Sequence, residues 1–249
     1  MADANIRRKI IASCKFGPDD LVLEIGAGGG EMTALIASRV ARVYALELDR
    51  GLCEVLQTNL GHIKNLEVIN QDVLKFDFKS FLKAVKGKIT VFGNIPYYIT
   101  TPIIERLLEN KEKIKTAYLT VQKEFAQRVI AGPGSKQYGC LSCFLQYFTQ
   151  AQIKFIISSG SFWPRPKVDS CLLELSMPEE PAVKVKDEKQ FFKIIRSGFN
   201  QRRKTLRNSL KEVVSRQTLD LFFQEYKIKE NIRPEQLSLR EFAGLANMV

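Results

Sequence analysis

Four consecutive residues, Asn94-Ile95-Pro96-Tyr97, combine an amide, a main-chain carbonyl, a rigid turn and an aromatic face. They follow the apolar run Lys88-Ile89-Thr90-Val91-Phe92, which reads as a strand ending at Gly93. The carboxyl edge of such a strand is where open α/β sheets bind ligands. These residue types suit methyl transfer to an exocyclic ring amine, a poor nucleophile because its lone pair is delocalised into the ring. If the Asn94 side-chain oxygen and the Ile95 carbonyl each accept one N–H, the nitrogen is drawn toward sp³ and its lone pair is aimed. Pro96 stiffens the turn, and Tyr97 offers a face on which a flipped-out base can stack. No strong base is needed, since the attacked nitrogen becomes acidic only after it gains the methyl. Positioning carries such a reaction and can supply on the order of 7–11 kcal/mol. The structural alternative is a turn that merely closes a strand.

A second group surrounds Glu24-Ile25-Gly26-Ala27-Gly28-Gly29-Gly30, a glycine cluster joining an apolar run to a helical segment. Glycines there let the backbone turn sharply and approach a ligand where a Cβ would collide. A dinucleotide fingerprint would need glycine at position 31, where this chain has Glu31, and no Gly-Lys-Ser/Thr marks a P-loop. An acid at the helix start is poorly placed for a pyrophosphate. A ligand without phosphate fits better, and S-adenosylmethionine is the common one. Gly26 and Gly28 would shape its loop. Glu47, at the end of the next strand, can accept both ribose hydroxyls, and Asp72, after the third strand, the adenine amino group. Three such features at successive strand ends weigh against a purely structural turn.

The elements that must hold these residues alternate along the first two-thirds of the chain, the signature of a parallel α/β sheet. Strands are expected at Leu21–Ile25, Arg42–Leu48, Leu66–Ile69, Lys88–Phe92 and Ala117–Val121, with helices over Glu31–Val40, Gly51–Leu60, Thr101–Asn110 and Lys123–Ile130. Strands near Gln152–Ile157 and Ser170–Leu175 would close the sheet. Met177-Pro178-Glu179-Glu180-Pro181 breaks the composition and reads as a domain boundary, giving domains over 1–178 and 182–249. Beyond it the pattern is helical.

Composition narrows the chemistry. The 249 residues carry 38 Lys/Arg against 27 Asp/Glu, a net charge of +11 that favours a polyanionic partner. From Lys184 onward there are 15 basic and 8 acidic residues, so the smaller domain holds +7 of that charge. A single histidine, His62, removes zinc sites built on several histidines and makes a histidine-based triad improbable. Cys140 and Cys143 form a lone C-x-x-C in an apolar stretch and read as buried helix residues. The odd, scattered cysteines suit a reducing, cytoplasmic setting. No metal site is expected, and no run of 18 apolar residues marks a membrane span. Arg202, Arg203, Lys204 and Arg207 fall within Gln201–Leu210, read as about two turns of helix, with 203 and 207 as i,i+4 neighbours. Only Glu212 and Asp220 lie close in sequence to neutralise them, so phosphate contact is favoured over a solvated face.

With these residues in view, the chain resembles the bacterial small-subunit ribosomal RNA adenine N6-dimethyltransferases. The resemblance spans nearly the whole chain. It rests on Glu24-Ile25-Gly26-x-Gly28, Glu47, Gln71-Asp72, Gly93–Tyr97, Phe162-Trp163-Pro164-Arg165-Pro166-Lys167-Val168-Asp169-Ser170, Gln201–Asn208 and Arg233-Pro234-Glu235. It implies a Rossmann-like class I methyltransferase domain followed by a small all-helical domain. It implies two methyls placed on N6 of each of two adjacent adenosines near the 3′ end of small-subunit rRNA, with immature small subunits as partner; for the enzyme itself a monomer is expected. Gly26, Gly28, Glu47, Asp72 and Asn94 would contact S-adenosylmethionine; Asn94, Ile95, Pro96 and Tyr97 would form the catalytic turn. Phe162 would stack on the target base opposite Tyr97, with core packing as the alternative role. The family's basic tail and Gln-x-Phe-Leu-x-Asp motif precede this sequence: Met1-Ala2-Asp3 aligns with the motif's last three residues, so either the chain has been trimmed or its natural start lies upstream. The rivals are a large-subunit adenine methyltransferase, which shares the Asn-Ile-Pro-Tyr turn, and a nucleic-acid-binding assembly or transcription factor of the same fold.

Overall fold

The computed structural model describes residues 3–201 and 203–249. The described residues run α1 (Ala4–Ser13), β1 (Leu21–Ile25), α2 (Glu31–Ala37), β2 (Arg42–Glu47), α3 (Arg50–Leu60), β3 (Leu66–Asn70), α4 (Phe78–Ala84), β4 (Ile89–Gly93), α5 (Thr100–Glu109), β5 (Ile114–Gln122), α6 (Lys123–Ile130), α7 (Cys140–Phe148), β6 (Gln150–Ile157), β7 (Ser170–Ser176), α8 (Glu188–Phe199), α9 (Leu206–Leu210), α10 (Arg216–Glu225) and α11 (Leu239–Asn247). Each expected strand is present. Two helices were not read from the pattern. The first, α1, carries Arg7, Arg8 and Lys9 together but buries Ile10 and Ile11, and Asp3 caps it by accepting from the Asn5 and Ile6 N–H groups. The second, α4, has only seven residues, started by Asp77 accepting from the Ser80 N–H.

The strands form one sheet in the order β3-β2-β1-β4-β5-β7-β6. β1 pairs in parallel with β2 and β4, β2 with β3, and β4 with β5, while β7 runs antiparallel to β5. In β4 every residue is buried, as expected of a strand covered on both faces. Register decides where chemistry can collect. Ile25 lies beside Leu46 and Gly93, and Glu47 beside Asn70. The turns after β3, β2, β1 and β4 therefore open side by side along one edge.

The chain divides into two compact units: residues 1–126 with 152–179, and residues 127–151 with 180–249. The break after Glu179 matches the Pro- and Glu-rich stretch, but a single cut there does not describe the second unit. Residues 127–151 leave the sheet unit because their aromatic side chains share a core with the C-terminal helices. Tyr147 packs on Phe191 and Phe192 with ring centroids 5.2 Å apart in both pairs, and its hydroxyl donates to Glu188 at 2.9 Å. The Ala182 N–H donates to the Tyr147 carbonyl at 3.0 Å. Cys143 is fully buried in α7 within this cluster and Cys140 half-buried beside it. Burial pushes the Cys143 thiol up to about 12, the state of an inert packing residue. The helix ends of this unit are closed by side chains: Asp187 on α8, Ser215 on α10, and Ser238 with Glu241 as a capping box on α11.

Candidate active site

The glycine loop starts where β1 ends. The Gly26 N–H donates to the Leu46 carbonyl at 2.8 Å, locking the loop to the edge of β2. Gly26 and Gly28 take φ of 74° and 57°, a left-handed conformation that side chains disfavour. The Gly28 N–H donates to Glu47 Oε2 at 2.8 Å, and the Leu48 and Asp49 N–H groups donate to Oε1 at 2.9 and 3.0 Å. Three N–H groups thus fix the Glu47 carboxylate between the loop and the start of α3, and they occupy three of its roughly four acceptor positions. Beside it Leu48 is 66% exposed, an apolar side chain left open next to the carboxylate. Asp72 is half-buried; its Oδ1 accepts from the Leu74 N–H at 2.9 Å, and the Gln71 N–H ties the same turn to the Glu47 carbonyl at 3.0 Å.

Glu24 is the site's other acid. It lies on β1 just before the loop that joins this strand to α2, where the buried Thr33 Oγ1 has no hydrogen-bond partner among the described residues. Only 2% of Glu24 is exposed, and its Oε2 has no hydrogen-bond partner among the described residues. Burial raises its carboxyl to about 8, and the nearby charges of Glu31 and Glu47 push in the same upward direction. The group is a neutral acid at neutral pH.

The turn after β4 is built around Gly93. A Cβ there would lie 2.9 Å from Ile95 Cγ2 and 3.4 Å from the Ile25 carbonyl, so only glycine lets Ile95 fold back and bury itself. Asn94 stays half-buried, and its carbonyl lies 3.9 Å from where a Gly26 side chain would begin. The glycine loop and the Asn94 turn are therefore direct neighbours. Pro96, at φ −60° and ψ 135°, leads into a 3-10 turn over Tyr97–Ile99 and then α5. The Tyr97 hydroxyl is 2.5 Å from the buried Ser170 Oγ at the start of β7, which fixes the direction of the ring.

Asn94, Ile95, Pro96 and Tyr97 line an open cleft of about 340 Å³ with Phe162, Pro164 and Pro166. Phe162 lines the cleft and also packs against the apolar core around Ile10 and Phe92. Its loop is held by the Ser159 N–H donating to Asp169 Oδ1 at 3.1 Å and by Arg165 Nε donating to Ser159 Oγ at 3.1 Å. Trp163–Pro164 is a cis peptide. The structure thus bonds Gly28 directly to Glu47 and Gly26 to the adjoining Leu46, sets Asn94 against Gly26, and gathers Asn94–Tyr97 with Phe162. The contact of Ser170 with Tyr97 and the exposure of Leu48 beside Glu47 were not read from the sequence. Ser170 lies 73 residues from Tyr97, a contact no local pattern encodes, whereas Leu48 was legible as an apolar residue directly after Glu47.

The basic cluster departs from the reading of the sequence. Gln201, Arg203 and Lys204 form a turn, and α9 starts only at Leu206, after the Thr205 cap, so 203 and 207 do not share a helical face. The Thr205 hydroxyl captures the Asn208 N–H at 3.4 Å, starting the helix later than charge spacing suggests. Arg207 pairs with Asp220 at 2.6 Å and Glu230 at 3.1 Å, and its guanidinium lies 5.2 Å from the Phe223 ring centroid. Glu230, 23 residues away, is the partner that local reasoning overlooked. Arg203 and Lys204 are exposed, and Arg202 lies outside the described residues. Among the described residues no cluster of His, Cys, Asp or Glu could hold a metal, and no helix is long and apolar enough to cross a membrane.

Comparison with known proteins agrees with this geometry. The family model described as ribosomal RNA adenine dimethylase matches residues 1–249. A ribosomal RNA small subunit methyltransferase A from Clostridium botulinum is 40% identical over 250 residues, covering 100% of this chain and 90% of the relative. A crystal structure of a dimethyladenosine transferase from Plasmodium falciparum has a TM-score of 0.84 at 25% identity, covering 98% of this chain and 95% of that one. The crystal structure of the 23S rRNA methyltransferase ErmE has a TM-score of 0.81 at 24% identity over 99% of both chains, a likeness of fold alone. The sheet with its helices is the Rossmann-like fold of these enzymes, and the C-terminal helices fit the same pattern.

Proposed function

Since the chain belongs to the ribosomal RNA adenine dimethylase family, we propose that it dimethylates N6 of two adjacent adenosines near the 3′ end of small-subunit rRNA, in the immature small ribosomal subunit. It acts in the cytoplasm, as a monomer, with S-adenosylmethionine as methyl donor. One observation carries this reading: Asn94, Ile95, Pro96 and Tyr97 line the same cleft as Phe162, while Asn94 also adjoins the glycine loop.

S-adenosylmethionine fits the residues present. A loop of left-handed glycines, a fixed Glu47 carboxylate, the exposed Leu48 and the half-buried Asp72 suit a nucleoside that bears no phosphate. Gly26, Gly28, Glu47, Asp72 and Asn94 would hold it, and when bound it supplies an electrophilic methyl on a sulfonium. The protein's own part is orientation. Tyr97, fixed by Ser170, and Phe162 hold the adenine between two aromatic faces. The Asn94 amide oxygen and the Ile95 carbonyl accept the two N6 hydrogens and turn the nitrogen lone pair outward. With the donor held there, its methyl would pass from sulfur to N6, and the proton would then leave the cationic nitrogen for water. Once both hydrogens have been replaced, Asn94 and Ile95 have nothing left to accept, which favours release. Arg203 and Lys204, with Arg202, contact RNA phosphates and hold the substrate without selecting its sequence. Arg207, engaged by Asp220 and Glu230, contributes less to that contact.

The small-subunit assignment follows the 40% identical relative over the large-subunit enzyme that shares the fold. The test is methyl transfer from labelled S-adenosylmethionine to undermethylated small subunits, with large subunits in parallel and nucleoside analysis of the product. Dimethyladenosine confined to the small subunit is expected, and Asn94→Ala should abolish it in a folded protein. Label in the large subunit alone would overturn the substrate assignment. Full activity of Asn94→Ala would overturn the role of the turn.

A further inference from the structure

Two aromatic side chains beside the cleft serve no packing purpose. Tyr98 is 85% exposed and Trp163 84%, well above the 66% of Leu48, the next most exposed large apolar residue among those described. Each is one residue from a lining residue: Tyr98 follows Tyr97, and Trp163 stands between Phe162 and Pro164. The inner rings, Tyr97 and Phe162, are half-buried. In the 3-10 turn successive side chains point about 120° apart, so Tyr98 cannot share the orientation of Tyr97. Two cations follow Trp163 on its own loop. Arg165 and Lys167 are exposed on the Trp163 loop, and Arg165 is fixed by its hydrogen bond to Ser159.

We propose that Tyr98 and Trp163 form an outer stacking platform for the unpaired nucleobases that flank the target adenine, with Arg165 and Lys167 taking the adjoining phosphates. This rests on the reading of the cleft as the adenine site. An adenine that enters the cleft arrives on a strand whose neighbouring bases lose their own stacking partners. Exposed aromatic faces restore that stacking without regard to sequence, and alternating cations follow the backbone. The net charge of +11 favours this polyanion over a neutral protein surface.

Trp163 is the chain's single tryptophan, so its fluorescence reports on the platform directly. The probes are a short single-stranded oligoadenylate and an oligomer of the same length with one central adenosine and abasic flanks. The oligoadenylate should quench Trp163, and the abasic-flanked oligomer should bind with little quenching. By anisotropy, Trp163→Ala and Tyr98→Ala should each weaken oligoadenylate binding about tenfold, and Trp163→Phe should recover most of it. With small subunits as substrate, the alanine variants should raise KM and leave kcat within about twofold. Equal quenching by both oligomers, unquenched binding, or unchanged affinity of both alanine variants would overturn the platform. A wild-type protein that methylates while the variants match it defeats the platform alone. Absent methylation with the expected quenching and affinity losses would defeat the functional reading and leave the platform standing.

Discussion

Glu24 makes the stability of this fold depend on pH in an unusual direction. Its carboxyl has an ordinary value of 4.5 and is held at about 8 in the folded chain, chiefly by burial. Below pH 4.5 both folded and unfolded forms carry the proton, and the site imposes no penalty. Between pH 4.5 and about 8 the unfolded carboxyl has ionised while the folded one keeps its proton, so the folded state binds more protons and stability falls as pH rises. Above pH 8 both forms are ionised and the loss is complete. At about 1.4 kcal/mol per pH unit, the shift corresponds to a loss of about 5 kcal/mol across that window. Glu24→Gln removes the titration and keeps the shape. The amide imposes a fixed offset through its own unpaired group, so the slope against pH is the informative quantity. Urea unfolding of both proteins at intervals from pH 4.5 to 9, without cofactor, should show wild-type stability falling relative to Glu24→Gln by several kcal/mol. Groups that titrate in both proteins cancel in the difference. Parallel profiles would refute a neutral buried Glu24, and a wild type that gains stability with pH relative to the variant would reverse the argument.

Tyr97→Phe removes the bond to Ser170 but keeps the ring, and should lower kcat/KM about 3- to 10-fold, the equivalent of roughly one hydrogen bond. Tyr97→Ala should lose far more in the same assay. Phe162→Ala should reduce methyl transfer and also lower the melting temperature, because the ring lines the cleft and packs against the core. Thermal unfolding followed by circular dichroism checks the second effect, and a change in one readout only would mean a single role. Replacing Arg203 and Lys204 with alanine should weaken RNA binding and reduce the slope of log affinity against log salt by about 1.5, as expected for two lost phosphate contacts. An unchanged slope would remove them from the interface. Arg207→Ala should instead cost about 1–2 kcal/mol of stability through its ion pairs and its place over Phe223. Its salt slope should stay close to that of the wild type.

The sheet and the positions of its chemistry were legible in the sequence for a local reason. A parallel strand buried on both faces is a short apolar run, and the residues after it lie at the ligand edge in any open α/β sheet. Gly26, Glu47, Asp72 and Asn94 could therefore be placed from their distance to such runs. The resemblance of Gly93–Tyr97 and Phe162–Ser170 to a known family then narrowed the expected methyl transfer to adenosines of small-subunit rRNA.

What the sequence left open depends on residues distant along the chain. That Phe162 meets both the core and the cleft is a matter of tertiary contact, and the return of β7 beside β5 sets Ser170 at the Tyr97 hydroxyl. The affiliation of 127–151 depends on Tyr147 meeting Phe191, Phe192 and Glu188, so a composition break alone could not define the second unit. Arg207 looked like part of a free basic face until Glu230 and Phe223 came to it from other elements. The neutral state of Glu24 needs complete burial beside two further carboxylates, and a linear pattern carries no measure of burial. Local periodicity gives the elements and their edges; side-chain pairing across the fold decides charge state, orientation and unit membership, because those depend on desolvation and contact rather than on chain order.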